Sequence, residues 1–174
     1  QTMLGQWDRL NPTSGGTQSP YVLARTMAQD DHCHSYMTFN TCYKDAGLFG
    51  LYLVATPDGV ATAINRVMAC LANLGREDAF TDEEVHRAKS QLKATLISQL
   101  DALAHVCEEI GRQFLTFARR MPLAEALARI DAVEPHHISA TVAKFLQDKD
   151  HALAAFGSIK DLPSYDDTHI RNFR

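Results

Sequence analysis

The sequence predicts an α+β fold: a small, mostly antiparallel sheet centred on one hairpin and packed against several helices. Three observations predict it. From Ser35 to Ala55, two runs rich in aromatic, β-branched and large apolar residues flank Lys44-Asp45-Ala46-Gly47, the pattern of two strands joined by a tight turn. From Thr56 onward, apolar residues recur at three- and four-residue steps, the period of a helix with one buried face. The 174 residues are 45% hydrophobic, which suits one domain, 1–174, with its own core.

The elements follow in order. Gln1 to Arg9 reads as the tail of a helix. Leu10 to Pro20 contains Asn, Pro, Thr, Ser and Gly-Gly, which is loop chemistry. Ser19-Pro20 fits an N-cap followed by proline and opens a helix to about Gln29. Asp30 to His34 is a short polar connection. Side chains alternate along a strand, so Met37, Phe39, Thr41 and Tyr43 share one face of the hairpin. Tyr36, Thr38, Asn40 and Cys42 share the other. The second strand is apolar on both faces apart from Tyr52, which predicts cover on both sides.

Thr56-Pro57 opens a helix carrying Val60, Ala61, Ile64, Val67, Met68 and Leu71, and Gly75 ends it. Arg76 to Ala79 is a charged loop. Thr81-Asp82-Glu83-Glu84 is a capping box, with Phe80 and Val85 placed to form a hydrophobic staple. Val85, Ala88, Leu92, Leu96, Leu100 and Leu103 then predict a long helix of about 20 residues with one buried stripe. After a break near Asp101 to His105, Val106, Ile110, Phe114 and Phe117 continue a helical period up to Arg119-Arg120. Leu123, Leu127, Ile130 and Val133 mark a short amphipathic helix. Glu134-Pro135 starts another, with Ile138, Val142, Phe145 and Leu146 inward. Ala152 to Phe156 reads as a short strand ending at Gly157, and the remainder as an extended tail.

Composition excludes some functions. The net charge is −4 with 22% charged residues, and no basic run is interleaved with aromatics, so nothing points to nucleic acid. No apolar run approaches the roughly 20 residues that cross a bilayer. Gln1 follows no signal region, which reads as a processed form or a fragment. Cys33, Cys42, Cys70 and Cys107 form no CxxC pair and read as free, mostly buried thiols of a reducing compartment.

Hydrolytic zinc needs two histidines on one helix face beside a carboxylate base. Neither HExxH nor HxxEH occurs. In His105-Val106-Cys107-Glu108-Glu109 a glutamate stands where HxxEH needs its second histidine. His32-Cys33-His34 and His136-His137 are dense in ligand atoms, but neighbouring side chains diverge on a regular strand or helix. There is no GxSxG elbow, and Gly15-Gly16 lacks the rest of a phosphate-binding loop.

Several stretches carry a resemblance. Thr41-Cys42-Tyr43-Lys44-Asp45-Ala46-Gly47-Leu48-Phe49-Gly50 is one. Glu109-Ile110-Gly111-Arg112-Gln113 followed by Arg119-Arg120 is another. Gly5-Gln6-Trp7-Asp8-Arg9, Glu84-Val85-His86-Arg87-Ala88-Lys89-Ser90-Gln91-Leu92-Lys93, Ile130-Asp131-Ala132-Val133 and Ala155-Phe156-Gly157-Ser158-Ile159 stand in matching order. Over nearly its whole length the chain resembles the pitrilysin/insulinase-type zinc metallopeptidases. The branch it resembles contains mitochondrial processing peptidase β subunits and the homologous core subunits of respiratory complex III.

The resemblance implies a subunit of two homologous α/β halves enclosing a chamber, with HxxEH in the first half. This chain resembles part of the C-terminal, non-zinc half. It then holds no catalytic residue, no metal and no cofactor of its own, and the zinc belongs to the parent protein. Tyr43 and Thr38 match positions that hold substrate. They stand five apart, so a regular strand aims them oppositely, and a shared site requires a bulge or bend after Cys42. The implied partners are the N-terminal half of the same subunit, an α-type subunit and presequence peptides, with no nucleic acid. The fragment alone is expected to self-associate through its sheet edge and apolar surfaces. The implied activity is zinc-dependent removal of presequences in the mitochondrial matrix or at the matrix face of the inner membrane. The alternative is a structural core subunit among the subunits of complex III without peptidase activity, and a third reading is a bacterial or organellar peptidase of the same family.

Overall fold

The computed structural model describes residues 1–168 apart from 12, 14, 77 and 78. Parts of the loops predicted over Leu10–Pro20 and Arg76–Ala79, and the end of the predicted tail, lie outside the described residues. Three antiparallel strands, β1 (Gln6–Asp8), β2 (Cys33–Cys42) and β3 (Gly47–Ala55), form one sheet in the order β1-β2-β3. Six helices follow or intervene: α1 (Val22–Ala28), α2 (Val60–Asn73), α3 (Asp82–Gln99), α4 (Leu103–Phe117), α5 (Leu123–Asp131) and α6 (Pro135–Leu146). This is the predicted α+β architecture around the predicted hairpin. No described helix is long and apolar enough to cross a membrane.

The hairpin turns on Lys44-Asp45, closed by the Tyr43 N–H donating to the Ala46 carbonyl at 2.8 Å. Opposite residues in the β2–β3 ladder include Tyr36 and Leu53, Thr38 and Leu51, Met37 and Tyr52, and Phe39 and Gly50. Alternation then sorts two faces. The inner face carries Tyr36, Thr38, Leu51 and Leu53. With Trp7 of β1 it packs on Leu23, Ala24 and Met27 of α1, and on Ala63, Val67, Cys70 and Leu71 of α2. Ile138, Val142 and Leu146 of α6 pack against the rim of this core. Two buried polar side chains beside the sheet are tied down: the Tyr36 hydroxyl donates to the Leu4 carbonyl at 2.7 Å, and Asp30 Oδ1 accepts from His32 N–H at 3.0 Å. The buried Asp30 carboxylate also meets Arg66 Nε at 3.3 Å, joining the start of β2 to α2.

The helix starts follow local chemistry. At α3 the Thr81 hydroxyl accepts from Glu84 N–H and the Glu84 carboxylate accepts from Thr81 N–H, both at 3.2 Å. Phe80 and Val85 are both buried beside this cap, so box and staple form together. Helix α2 begins three residues later than Thr56-Pro57 predicts, with Gly59 as its N-cap. There the His32 ring lies so close that a Cβ on residue 59 would sit 2.0 Å from its Cγ.

Several expectations fail: α1 is capped by Tyr21 and not by Ser19, Phe145 is exposed and not inward, and three stretches lack the predicted helix, strand or cover. Gln1–Arg9 is a turn and a strand instead of a helix tail: Gly5 has φ +66°, which ends any helix, and Trp7 pairs opposite Tyr36. The second hairpin strand is covered on one side only, since Leu48, Tyr52 and Val54 lie exposed on the outer face. Ala152–Phe156 forms no strand, having no ladder partner among the described residues, and Phe156 is fully exposed. The thiols also divide differently. Cys33 and Cys70 are buried, Cys42 and Cys107 are exposed, and all four are free. Burial, reinforced by the neighbouring Asp30, pushes the Cys33 thiol up to about 11, and burial raises Cys70 as well.

Candidate functional site

The outer face of the hairpin is an apolar platform on a rigid support. Met37, Phe39, Leu48, Tyr52 and Val54 share it by alternation, and all but the half-buried Phe39 are exposed. Phe39 lies across Gly50: a Cβ there would sit 2.4 Å from Phe39 Cζ. The glycine therefore lets the ring lie flat on the sheet. Tyr43 continues the parity of Met37 and Phe39 at the hairpin tip, with 63% of its surface exposed. Its hydroxyl is a donor and an acceptor at the edge of an apolar surface.

Thr38 stands differently. It is buried on the inner face, and its hydroxyl donates to the Gly5 carbonyl at 2.8 Å. The one irregularity in the β2–β3 ladder lies between Cys33 and Ser35, at the far end from the tip. The ladder runs regularly from Ser35 to Cys42, which keeps Thr38 on the buried inner face, while Tyr43 lies just past the ladder's end in the exposed turn.

A second concavity, of about 250 Å³, lies between the end of α3, α4 and the start of α5. Leu96, Leu100, Val106, Ile110 and Leu123 line it, with Glu109 and Arg120 among its polar residues. Its signal in the sequence is the break at Asp101, where the apolar stripe of α3 ends and that of α4 begins. Beside it, Arg119 makes a two-pronged contact to Glu125 at 2.6 and 2.8 Å, and Arg129 adds a third at 2.9 Å. Hydrogen bonding from Arg119 first, then from Arg129, holds the Glu125 carboxyl down at about 2.

Among the described residues none gathers into a hydrolytic zinc centre. His105, Cys107, Glu108 and Glu109 are all exposed on α4. Glu108 takes Arg112 at 2.5 Å and Glu109 takes Gln113 at 2.8 Å. His32 turns Nδ1 to Thr56 Oγ1 at 3.1 Å, Cys33 is buried and His34 is exposed, so that triplet does not converge either. Among the described residues one group does gather three ligand types: Glu134, His136 and His137 at the start of α6. Sequence reasoning missed the glutamate, because Glu134 lies outside the regular helix as its extended N-cap.

Comparison with known proteins places the chain in a family. The family model described as "Peptidase M16 inactive domain" matches residues 1–92. The chain is 39% identical over 173 residues, 99% of its length, to a probable mitochondrial-processing peptidase subunit beta of Arabidopsis thaliana. It is 40% identical over 164 residues, 94% of its length, to the mitochondrial-processing peptidase subunit beta of Bos taurus. The chain spans about a third of those relatives, 32% and 33%. Among solved structures, a chain of complex III2 from Candida albicans matches with a TM-score of 0.87, covering 98% of this chain and 41% of that one. At 22% identity that likeness shows the fold.

Proposed function

The chain belongs to the peptidase M16 family, and from that premise we propose that it is part of the C-terminal half of a mitochondrial processing peptidase β-type subunit. In this reading it walls the chamber of a zinc endopeptidase that removes presequences from imported proteins. The observation that carries the reading is identity of 39–40% to β subunits through 94–99% of the chain. The zinc and its glutamate base lie in the other half of the subunit, because no HxxEH set exists here. Zinc supplies the activated water when bound, and this chain supplies surface and orientation. The partners are the N-terminal half, an α-type subunit and presequence peptides, and the place is the matrix or the matrix face of the inner membrane. The alternative, a complex III core subunit without peptidase activity, draws on the fold likeness alone.

Tyr43 has the stance for a substrate contact: exposed, at a hydrogen-bonded hairpin tip, beside apolar surface. Its hydroxyl donates to a substrate carbonyl, and the bond strengthens as that oxygen gains charge, so its loss lowers the rate more than the affinity. Thr38 acts differently in this reading. Its hydroxyl holds β2 to the Gly5 carbonyl and so sets the hairpin's height over the core. The test uses the full-length heterodimer. Tyr43→Phe should lower presequence cleavage by roughly tenfold to a thousandfold, the range for one lost hydrogen bond to a developing oxyanion. Wild-type rates in that variant would reduce Tyr43 to packing.

A further inference from the structure

We propose that Glu134, His136 and His137 form a surface site for an exchangeable divalent first-row transition ion, with Zn2+ as the probe. The site is independent of the chamber reading. It rests on how the first turn of α6 is built. Pro135 fixes the first helical position, and Glu134 caps the helix from an extended backbone at φ −114°, ψ 160°. This backbone sends the glutamate side chain back across the turn, toward the two imidazoles that follow. Glu134 Oε2 then lies 3.2 Å from His136 Nδ1. The two rings sit 3.9 Å apart, tilted by 38°. One ligand atom from each of the three residues lies within 4.8 Å of the others.

Zinc–nitrogen and zinc–oxygen bonds of about 2.0–2.1 Å in tetrahedral geometry place two ligands about 3.3 Å apart. The Glu134–His136 separation is close to that distance, and an ion binding there takes the place of the direct contact between the two side chains. Two imidazoles and a carboxylate suit Zn2+ better than Mg2+ or Ca2+, which take oxygen ligands. The third ligand must be released first. His137 Nδ1 accepts the Glu134 N–H at 3.1 Å, and a neutral imidazole has one lone pair to give. Binding therefore exchanges that capping bond for a metal bond, so the site fills and empties with the state of the helix start. The positive end of α6 opposes a cation, and the Glu134 carboxylate offsets it. All three residues are exposed, so water completes the coordination. The site has no enclosed cavity, which makes it a binding site and not a hydrolytic one.

The test is calorimetric titration of the 174-residue chain with zinc chloride, after iodoacetamide has blocked the exposed Cys42 and Cys107 thiols. One saturable zinc per chain is expected, with a rise in melting temperature when zinc is added. His136 lies outside the capping box, so His136→Ala removes a ligand and leaves the helix start intact, as circular dichroism should confirm. That variant should bind at least tenfold more weakly and lose the thermal shift, and His137→Ala should also bind more weakly. An unchanged isotherm in the double variant H136A/H137A would overturn the proposal, because the zinc would sit elsewhere. So would the absence of saturable binding in the wild-type chain up to about 1 mM zinc, where affinity is only about 4 kcal/mol.

Discussion

Residues 1–92 and the residues after them are built from similarly apolar sequence, yet they settle differently. In the first region Leu23, Met27, Cys33, Tyr36, Ala63 and Val67 are all buried in one core. Beyond Leu92 the buried residue among those described is Ser139, and α4 and α5 bury no residue at all. Leu103, Phe114, Leu115 and Phe117 stand largely exposed. The second region is held to the first by the rim contacts of α6 and by polar ties. Lys89 donates to the Asp131 carbonyl at 3.0 Å across the boundary, and just past it Lys93 pairs with the same residue. The difference teaches that an amphipathic pattern makes a helix wherever it occurs, but a core forms only where a second apolar face is present. The first region carries both faces. The second carries one, in keeping with a proposed parent whose other parts supply the rest. The family model stops at the same boundary, residue 92.

The largest break in this comparison should come from truncating one apolar side chain in each region. Leu23→Ala should cost roughly 2–5 kcal/mol, as a buried leucine cut to alanine does. Phe117→Ala should cost under about 0.5 kcal/mol, as exposed changes do. Urea denaturation of both variants measures this, and equal losses would mean that α4 is packed against a core after all.

A smaller effect is expected at the α3 cap, which bridges the two regions. Thr81→Ala should cost on the order of 1 kcal/mol. Leu96, only half-buried on the same helix, should cost less when cut to alanine than the fully buried Leu23. A larger loss at Leu96 than at Leu23 in the same denaturation series would show that the α3 stripe is the true core.

How far the sequence showed these things depended on whether the signal was local. The hairpin turn at Lys44-Asp45, the Thr81–Glu84 capping box and the break before α4 are each written within a few residues, and each forms as read. Strand β1 is not local: Gln6–Asp8 is a strand because Trp7 meets Tyr36 far along the chain, and no short window shows that. The apolar run of β3 looks the same whether one or both faces find cover. Ala152–Phe156 has strand-like residues, but a strand needs a ladder partner. Of the site, Tyr43 was named by the resemblance, and the strand pattern alone did not show its exposure at the turn. The inward aim of Thr38 follows from alternation once the inner face is known, and that face is set by α1 and α2. Glu134 was hidden because regular-helix spacing does not describe a cap.

The smallest expected effect is a matter of pH. Glu125 is held well below the ordinary carboxylate range by Arg119 and Arg129. A depressed folded value means that the contribution is complete above the ordinary carboxylate range and fades as pH falls toward about 2. A carbon-detected NMR titration should find the Glu125 midpoint near that value, and Arg119→Ala should move it upward. An ordinary Glu125 midpoint in the wild-type chain would show that the three side chains are not associated in solution.

Amide hydrogen exchange tests the central comparison most directly, measured on the 174-residue chain and on the full-length subunit in its heterodimer. In the isolated chain, amides of β2, α1 and α2 should exchange only through near-global unfolding, and those of α4 and α5 through easier local opening. In the heterodimer the α4 and α5 amides should slow, while those of β2 and α2 change little. The account would be contradicted if α4 in the isolated chain were already as protected as β2, or if the full-length partners left its exchange unchanged.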